Sequence, residues 1–208
     1  AETGGSWMAE GMLYWLLGDS PEAAEMRRMT TVYMVPFMNP DGVALGNYRV
    51  NSVGANLNRE WVNQDYSTAP SVAAVAARIE SFVESGRPFE FFVDFHGHSS
   101  SRKNFFYYSG LDRTSEEEYQ KTHRLMSRLE ALDGDFTREG SERSADSPRL
   151  ARGWVFESFG VQAVTFECSY QDVTYGPHAG EYMTTERYMA LGEGLGKGLA
   201  ELLFGVAP

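Results

Sequence analysis

A histidine stands at position 96, at the end of the run Glu90-Phe91-Phe92-Val93-Asp94-Phe95, whose aromatic and β-branched residues predict a strand over Phe89 to His96. Such a strand delivers its last side chain to the C-terminal edge of a sheet, where α/β proteins keep their chemistry. Imidazole is the commonest protein ligand for metals, and a strand end offers the rigid mount and open front that a catalytic zinc requires. Taken alone, His96-Gly97-His98 fits two polar residues of an exposed loop just as well. Two other places bear on the choice. Glu167 closes an apolar run, Gln162 to Cys168, that reads as a buried strand, and such strands rarely end in a lone carboxylate unless something pairs with it or uses it. The Asn- and Gly-rich stretch Gly46 to Tyr66 carries Arg49 and the pair Asn58-Arg59. A guanidinium fork matches a carboxylate in bidentate geometry, although arginines of an acidic protein serve equally as surface ion pairs.

The elements that must position these residues alternate along the chain. Ser6 to Leu17 carries apolar residues on a helical period and stops at Gly18, and Ser20-Pro21 starts a second short helix. Thr30 to Met38 is β-rich and reads as a strand, stopped by a turn at Asn39-Pro40-Asp41-Gly42. Gly46 to Tyr66 shows no sustained period and much Asn and Gly, and reads as an ordered loop or as no structure at all. Ser71 to Val83 is an amphipathic helix, Asn104 to Tyr108 a strand, and Thr114 to Leu132 a helix with Glu116, Glu117 and Glu118 in its favourable first turn. Asp133 to Pro148 reads as polar surface loop and Leu150 to Phe159 as helix. Thr184 to Phe204 is a closing helix that Gly192, Gly194, Gly196 and Gly198 should loosen. This alternation predicts an α/β fold, a mixed, mostly parallel sheet with helices on both faces.

The 208 residues suffice for one large α/β domain and are too few for two, so residues 1–208 read as a single catalytic domain. A formal net charge of −11 argues against nucleic acid or an anionic membrane as a partner. No stretch approaches transmembrane length, and no basic-then-apolar leader is present. The single cysteine, Cys168, excludes an internal disulfide framework and fits a reducing, cytoplasmic compartment. With no histidine base beside it, Cys168 reads as a small packed residue. His123 and His178 read as solvated histidines. Nothing in the sequence sets the oligomeric state.

Five motifs now stand in one order: Asn39-Pro40-Asp41-Gly42, Gly46-Asn47-Tyr48-Arg49, Gly54-Ala55-Asn56-Leu57-Asn58-Arg59-Glu60-Trp61, Asp94-Phe95-His96-Gly97-His98-Ser99 and Arg102-Lys103-Asn104. Together they resemble the zinc metallocarboxypeptidases, and within them the cytosolic carboxypeptidase branch, some of whose members are deglutamylases. The resemblance implies one Zn2+ per active site, held by a His-x-x-Glu pair and one later histidine. His96 matches the later histidine. Glu2, followed by Thr3-Gly4-Gly5-Ser6-Trp7, matches the glutamate of the pair, although without the resemblance it would read as a frayed terminal acid near a helix start. The histidine of the pair falls ahead of Ala1, so the chain is expected to be N-terminally incomplete, with an incomplete ligand set.

By the same resemblance Glu167 is the general base, Arg49 stabilises the developing oxyanion, and Asn58 with Arg59 clamps the substrate's terminal carboxylate. Asp94 and His98 fall to supporting positions behind the ligands or in the loop. The mobile tyrosine that caps substrates in pancreatic-type relatives has no counterpart in Thr137 to Arg152, which leaves Tyr170 and Tyr175 as stand-ins. The function implied is a zinc-dependent metallocarboxypeptidase acting on peptide or protein C-termini, with Arg102, Lys103, Arg149 and Arg152 available as a basic pocket for glutamate. Two other readings stay open: an amidohydrolase of N-acyl amino acids, of the desuccinylase or aspartoacylase type, and a non-catalytic binding domain that has lost its metal. The Asn58-Arg59 pair favours either enzyme over the last.

Overall fold

The structure, a computed structural model, describes residues 2–63, 65–143 and 147–205. Its sheet contains β1 (Phe92–His98), β2 (Phe105–Tyr108), β3 (Glu142–Arg143) and β4 (Ala163–Ser169) in the order β1-β4-β2-β3. β1 runs parallel to β4, and β2 parallel to β3, while β2 and β4 are antiparallel, so the sheet is mixed and mostly parallel as expected. Successive strand residues point to opposite faces. On one face Val164, Phe166 and Cys168 of β4 join a core built from α1 (Thr3–Leu17), α2 (Pro21–Met29), α5 (Glu116–Leu132) and α7 (Thr185–Phe204). The other face carries α4 (Pro70–Glu84) and α6 (Ala151–Phe159), which enclose Leu57, Trp61 and Ala163. Asp94 and His96 lie level with Thr165 and Glu167 of the neighbouring strand, on this second side of the sheet.

Local sequence explains most of these boundaries. The Ser20 hydroxyl accepts the N–H of Ala23 ahead of α2, and Ser115 accepts that of Glu118 at the start of α5. The glycines of α7 do not loosen it. A methyl group at Gly192 would collide with the backbone of Met8, and one at Gly196 with the Trp15 ring. Helix propensity costs about 1 kcal/mol per glycine relative to alanine, and here close approach of α1 and α7 over a shared core offsets it.

Two expectations about the early chain need correction. Asn39-Pro40-Asp41-Gly42 opens a helix, α3 (Pro40–Leu45), because Asn39 accepts the N–H of Gly42 at 3.0 Å and Pro40 takes the first helical position. Thr30 to Met38 joins no ladder and bends at Pro36 and Met38. Its alternation is nonetheless used, since Val32 and Met34 pack on the α1/α7 core and Met38 on the α4/α6 core.

Candidate active site

The described part of the loop from Gly46 to Asn63 is held in place by its own side chains. Asn51 is buried and pins it, accepting the N–H groups of Val53 and Ala55 and donating to the Thr68 carbonyl at 2.7 Å. Leu57 and Trp61 plug into the α4/α6 core, where the Trp61 and Trp154 rings lie 5.3 Å apart. Asn58 sits between these anchors and is therefore held against the end of β1. Its Oδ1 accepts the N–H of Ala151 at 2.8 Å, supplying the cap that α6 lacks locally. Its Nδ2 donates to Asp94 at 3.3 Å and lies 2.8 Å from His96 Nε2.

His96 is the hub. Its Nδ1 is 2.6 Å from Glu2 Oε2, and its Nε2 is 3.0 Å from Asp94 Oδ2. Glu2 also accepts the N–H of Gly97 at 3.2 Å and lies 3.5 Å from the Arg49 guanidinium. Burial works against a charged His96, yet Asp94 and Glu2 more than offset it and lift its pKa well above 6.5. Burial also opposes ionisation of Glu2, but His96, the Gly97 N–H and Arg49 hold its carboxyl below the ordinary value. Glu167 behaves differently. Burial, reinforced by the charges of Glu2 and Asp94, raises it to about 7 against the pull of His96 and Arg49. Its Oε2 is buried without a hydrogen-bond partner.

Glu2, Asp94 and Glu167 thus gather about one imidazole, with the Arg49 guanidinium beside Glu2 as the second positive group. A bound cation is the usual remedy for such a cluster. The donors suit zinc: an imidazole nitrogen and a carboxylate oxygen face each other, and Asp94 holds the opposite ring nitrogen. They fit two positions of such a site. Among the described residues no three His, Cys, Asp or Glu side chains are placed to hold a metal ion.

The remaining candidates divide. Arg49 is about half exposed and lies over the Tyr48 ring, 5.0 Å from its centroid. Tyr48, which sequence reasoning passed over although it stands in the same motif, meets Tyr170 edge to face at 6.4 Å. The Tyr170 hydroxyl is buried without a partner, and its ring covers Gly97 so closely that any side chain there would collide with it. Tyr175 does not reach the site: its hydroxyl accepts the Asn104 N–H at 2.8 Å and donates to the Asp135 carbonyl. Arg59 is exposed and folds its guanidinium onto the Asn58 carbonyl at 2.6 Å.

His98 is buried. Its Nδ1 accepts the N–H of Ser101 and its Nε2 faces the Lys103 carbonyl at 3.1 Å, so it shapes the loop behind the site. His123 is not the solvated residue expected, because it packs 4.2 Å from the Tyr119 ring with Nε2 buried. His178 does lie at the surface, beside Glu181 at 3.1 Å. Cys168 is fully buried under Gly4, and burial pushes its thiol pKa up. The four basic residues do not form one pocket. Arg102 pairs with Asp172, Lys103 lies 3.8 Å from Glu139, and Arg152 is buried beside Ser109. Arg149 reaches the Arg59 carbonyl at 3.4 Å.

The family model for zinc carboxypeptidases matches residues 1–186. The chain belongs to that family. Human cytosolic carboxypeptidase 6 is 28% identical over 203 residues, covering 94% of this chain and 40% of that protein. A metallo-carboxypeptidase from Burkholderia cenocepacia superposes with a TM-score of 0.82 at 28% identity, over 95% of this chain and 52% of that one. A metallo-carboxypeptidase from Pseudomonas aeruginosa, solved in complex with (2-guanidinoethylmercapto)succinic acid, gives 0.81 at 27% identity, over 95% and 53%. This chain spans between a tenth and two fifths of the length of its curated relatives, and about half of these solved chains. Among the described residues no helix is long and apolar enough to cross a membrane.

Proposed function

We propose that this chain carries most of the active site of a zinc-dependent carboxypeptidase that removes single residues from the C-termini of peptides or proteins. One observation carries the reading: in a chain of this family, Glu2, Asp94 and Glu167 converge on His96 with one carboxylate oxygen left unpartnered. Glu2 and His96 are the protein donors we assign to the metal. A zinc ion held there supplies Lewis-acid polarisation of the scissile carbonyl and lowers the pKa of water.

The chain's own residues do the rest. Glu167, with a pKa near neutrality, takes a proton from the attacking water and returns it to the leaving amine. Arg49 stays charged at any working pH, and Tyr48 beneath it holds the guanidinium at the mouth of the site to meet the developing oxyanion. Asn58 braces Asp94 and His96 in this conformation, so recognition of the terminal carboxylate rests chiefly on Arg59. Arg149 beside that turn adds positive charge to an otherwise acidic chain, which favours acidic substrates such as glutamate-ended peptides. The names of the curated relatives suit a cytosolic setting, as does the single buried cysteine.

C-terminal amidation tests the reading directly. Full-length protein should shorten acidic peptides that end in a free carboxylate one residue at a time and leave the amidated versions intact. Amidation leaves the guanidinium without its charged partner, and that loss counts to the extent that bound substrate takes the exposed Arg59 out of water. Arg59→Lys should erode the preference, because a point charge does not replace the fork. Equal cleavage of both peptides in mass spectra of the digests would refute the clamp. Release of acyl groups from N-acyl amino acids, with peptides untouched, would favour the amidohydrolase instead.

A further inference from the structure

Arg49 hangs on a short series of aromatic contacts that starts in the sheet. Its guanidinium lies over the Tyr48 ring and donates to the Tyr48 hydroxyl at 3.3 Å, with Glu2 3.5 Å away. Such a contact fixes the guanidinium relative to Tyr48 alone. Tyr48 is itself about half exposed and stands in the loop between Gly46, which ends α3, and the buried Asn51. Loop side chains are mobile unless packing holds them. The ring that meets Tyr48 is Tyr170, edge to face, with the two planes at 76°.

Tyr170 is anchored to the sheet. Its N–H donates to the His98 carbonyl at 3.0 Å, which carries the pairing of β1 with β4 one residue past Ser169. Its ring fills the space that a side chain at Gly97 would need: a methyl group there would stand 2.4 Å from Cε1 and 2.5 Å from the hydroxyl oxygen. The N–H of that same glycine donates to Glu2. Tyr170 is thus registered on the backbone that carries His96, and its ring edge gives Tyr48 a fixed reference. The hydroxyl is not the working part. It is buried with no hydrogen-bond partner among the described residues, so it is not placed to cap a substrate.

We propose that Tyr170 is a positioning residue that holds Arg49 at the mouth of the site through the Tyr48 ring, a role that rests on Arg49 meeting the developing oxyanion. A flexible cation serves a transition state only as far as it already stands where the charge appears. Arg49 is about half exposed, and without the Tyr48 shelf it is free to lean on Glu2 or turn to water. Tyr170 removes that freedom by packing, without touching the substrate.

Two readouts on the full-length, zinc-loaded protein test this: steady-state cleavage of a peptide ending in glutamate, and the Arg49 Nε–Hε resonance in protein carrying isotope-labelled arginine. Tyr170→Leu removes the aromatic edge, so kcat should fall about 2- to 10-fold, the worth of one edge-to-face pair, with KM unchanged. The Arg49 resonance should lose the ring-current shift that Tyr48 imposes. Tyr170→Phe keeps the ring and should rescue both. In an Arg49→Gln background, where the charge is gone, Tyr170→Leu should cost nothing further, because residues acting through one contact are not additive. If Tyr170→Leu does not fold, Tyr170→Met fills the space over Gly97 without a ring and should move the same resonance. An unmoved resonance overturns the proposal. So does an equal loss of kcat in both backgrounds, or loss of zinc, since the ring would then be acting on the end of β1. A loss in Tyr170→Phe as large as in Tyr170→Leu overturns it as well, by assigning the work to the hydroxyl. Full kcat in Arg49→Gln alone refutes the oxyanion role of Arg49, whereas a moved resonance still supports its placement by Tyr170.

Discussion

The end of β1 presents two imidazoles in opposite surroundings. His96 faces Glu2 on one side and Asp94 on the other, and the two carboxylates pull its pKa up in spite of burial. His98, two residues on, touches only backbone through its two nitrogens and a serine hydroxyl at 3.5 Å; burial dominates and its pKa falls. Residue type, strand and depth are nearly the same. What differs is the arrival of acids from other elements: α1 brings Glu2, β4 brings Glu167, and the loop of Asn58 braces Asp94. A histidine becomes a centre of chemistry where tertiary structure collects charge around it, and a structural post where it does not.

The largest break should come at Glu167. Glu167→Gln keeps the shape of the side chain and removes the base, so turnover of the full-length enzyme should fall by about two to four orders of magnitude with zinc retained. Near-normal turnover in a steady-state peptide assay would mean that another group is the base. The ionised form of Glu167 also predicts an acid limb: kcat/KM should fall as pH drops below about 7, or lower once a bound cation favours the carboxylate.

Zinc content should separate the two histidines next. His96→Ala should weaken zinc affinity of the full-length protein by more than the roughly 10–100-fold that loss of an outer partner costs, and Asp94→Asn should fall within that range. His98→Ala should leave zinc bound after dialysis, as read by plasma emission spectrometry. Equal losses in His96→Ala and His98→Ala would erase the distinction.

A stability measurement sharpens the electrostatic side. The folded pKa of Glu167 lies above its ordinary 4.5, so the folded state is favoured by its proton at low pH and loses that contribution as pH rises from 4.5 through about 7. Above that the ionised carboxylate costs roughly 3 kcal/mol at most. In metal-free protein Glu167→Gln should therefore raise the melting temperature at pH 8 and leave it unchanged at pH 4. A gain at both values would point to packing rather than charge. The smallest effect belongs to His98→Ala, which removes two hydrogen bonds to the 99–103 loop and should cost about 1–3 kcal/mol at every pH above 7. A change in that cost between pH 7 and pH 9 would show that His98 shares in the charge network.

Much of this was legible in the residues. The apolar runs at β1 and β4, the start at Ser20-Pro21, the acidic first turn of α5 and the apolar period of α1 are local properties, because backbone geometry fixes which side chains share a face. Arg49, Asn58, Arg59 and His96 stand in short motifs that can be picked out along the chain and Glu167 ends an apolar run, but their roles followed only from the resemblance those motifs carry. Other features needed the fold. No local pattern tells that Asn58 spends its amide on Asp94 and the N-terminus of α6, that Tyr170 covers Gly97 while Tyr175 is occupied at Asn104, or that the glycines of α7 serve contact with α1. The Thr30 to Met38 run carries a strand's alternation, yet a strand exists only when a neighbour supplies the other half of its hydrogen bonds. Pattern along the chain determined the elements and their inward faces; charge convergence, close approach and pairing act between residues far apart in sequence, and only the tertiary structure decided those.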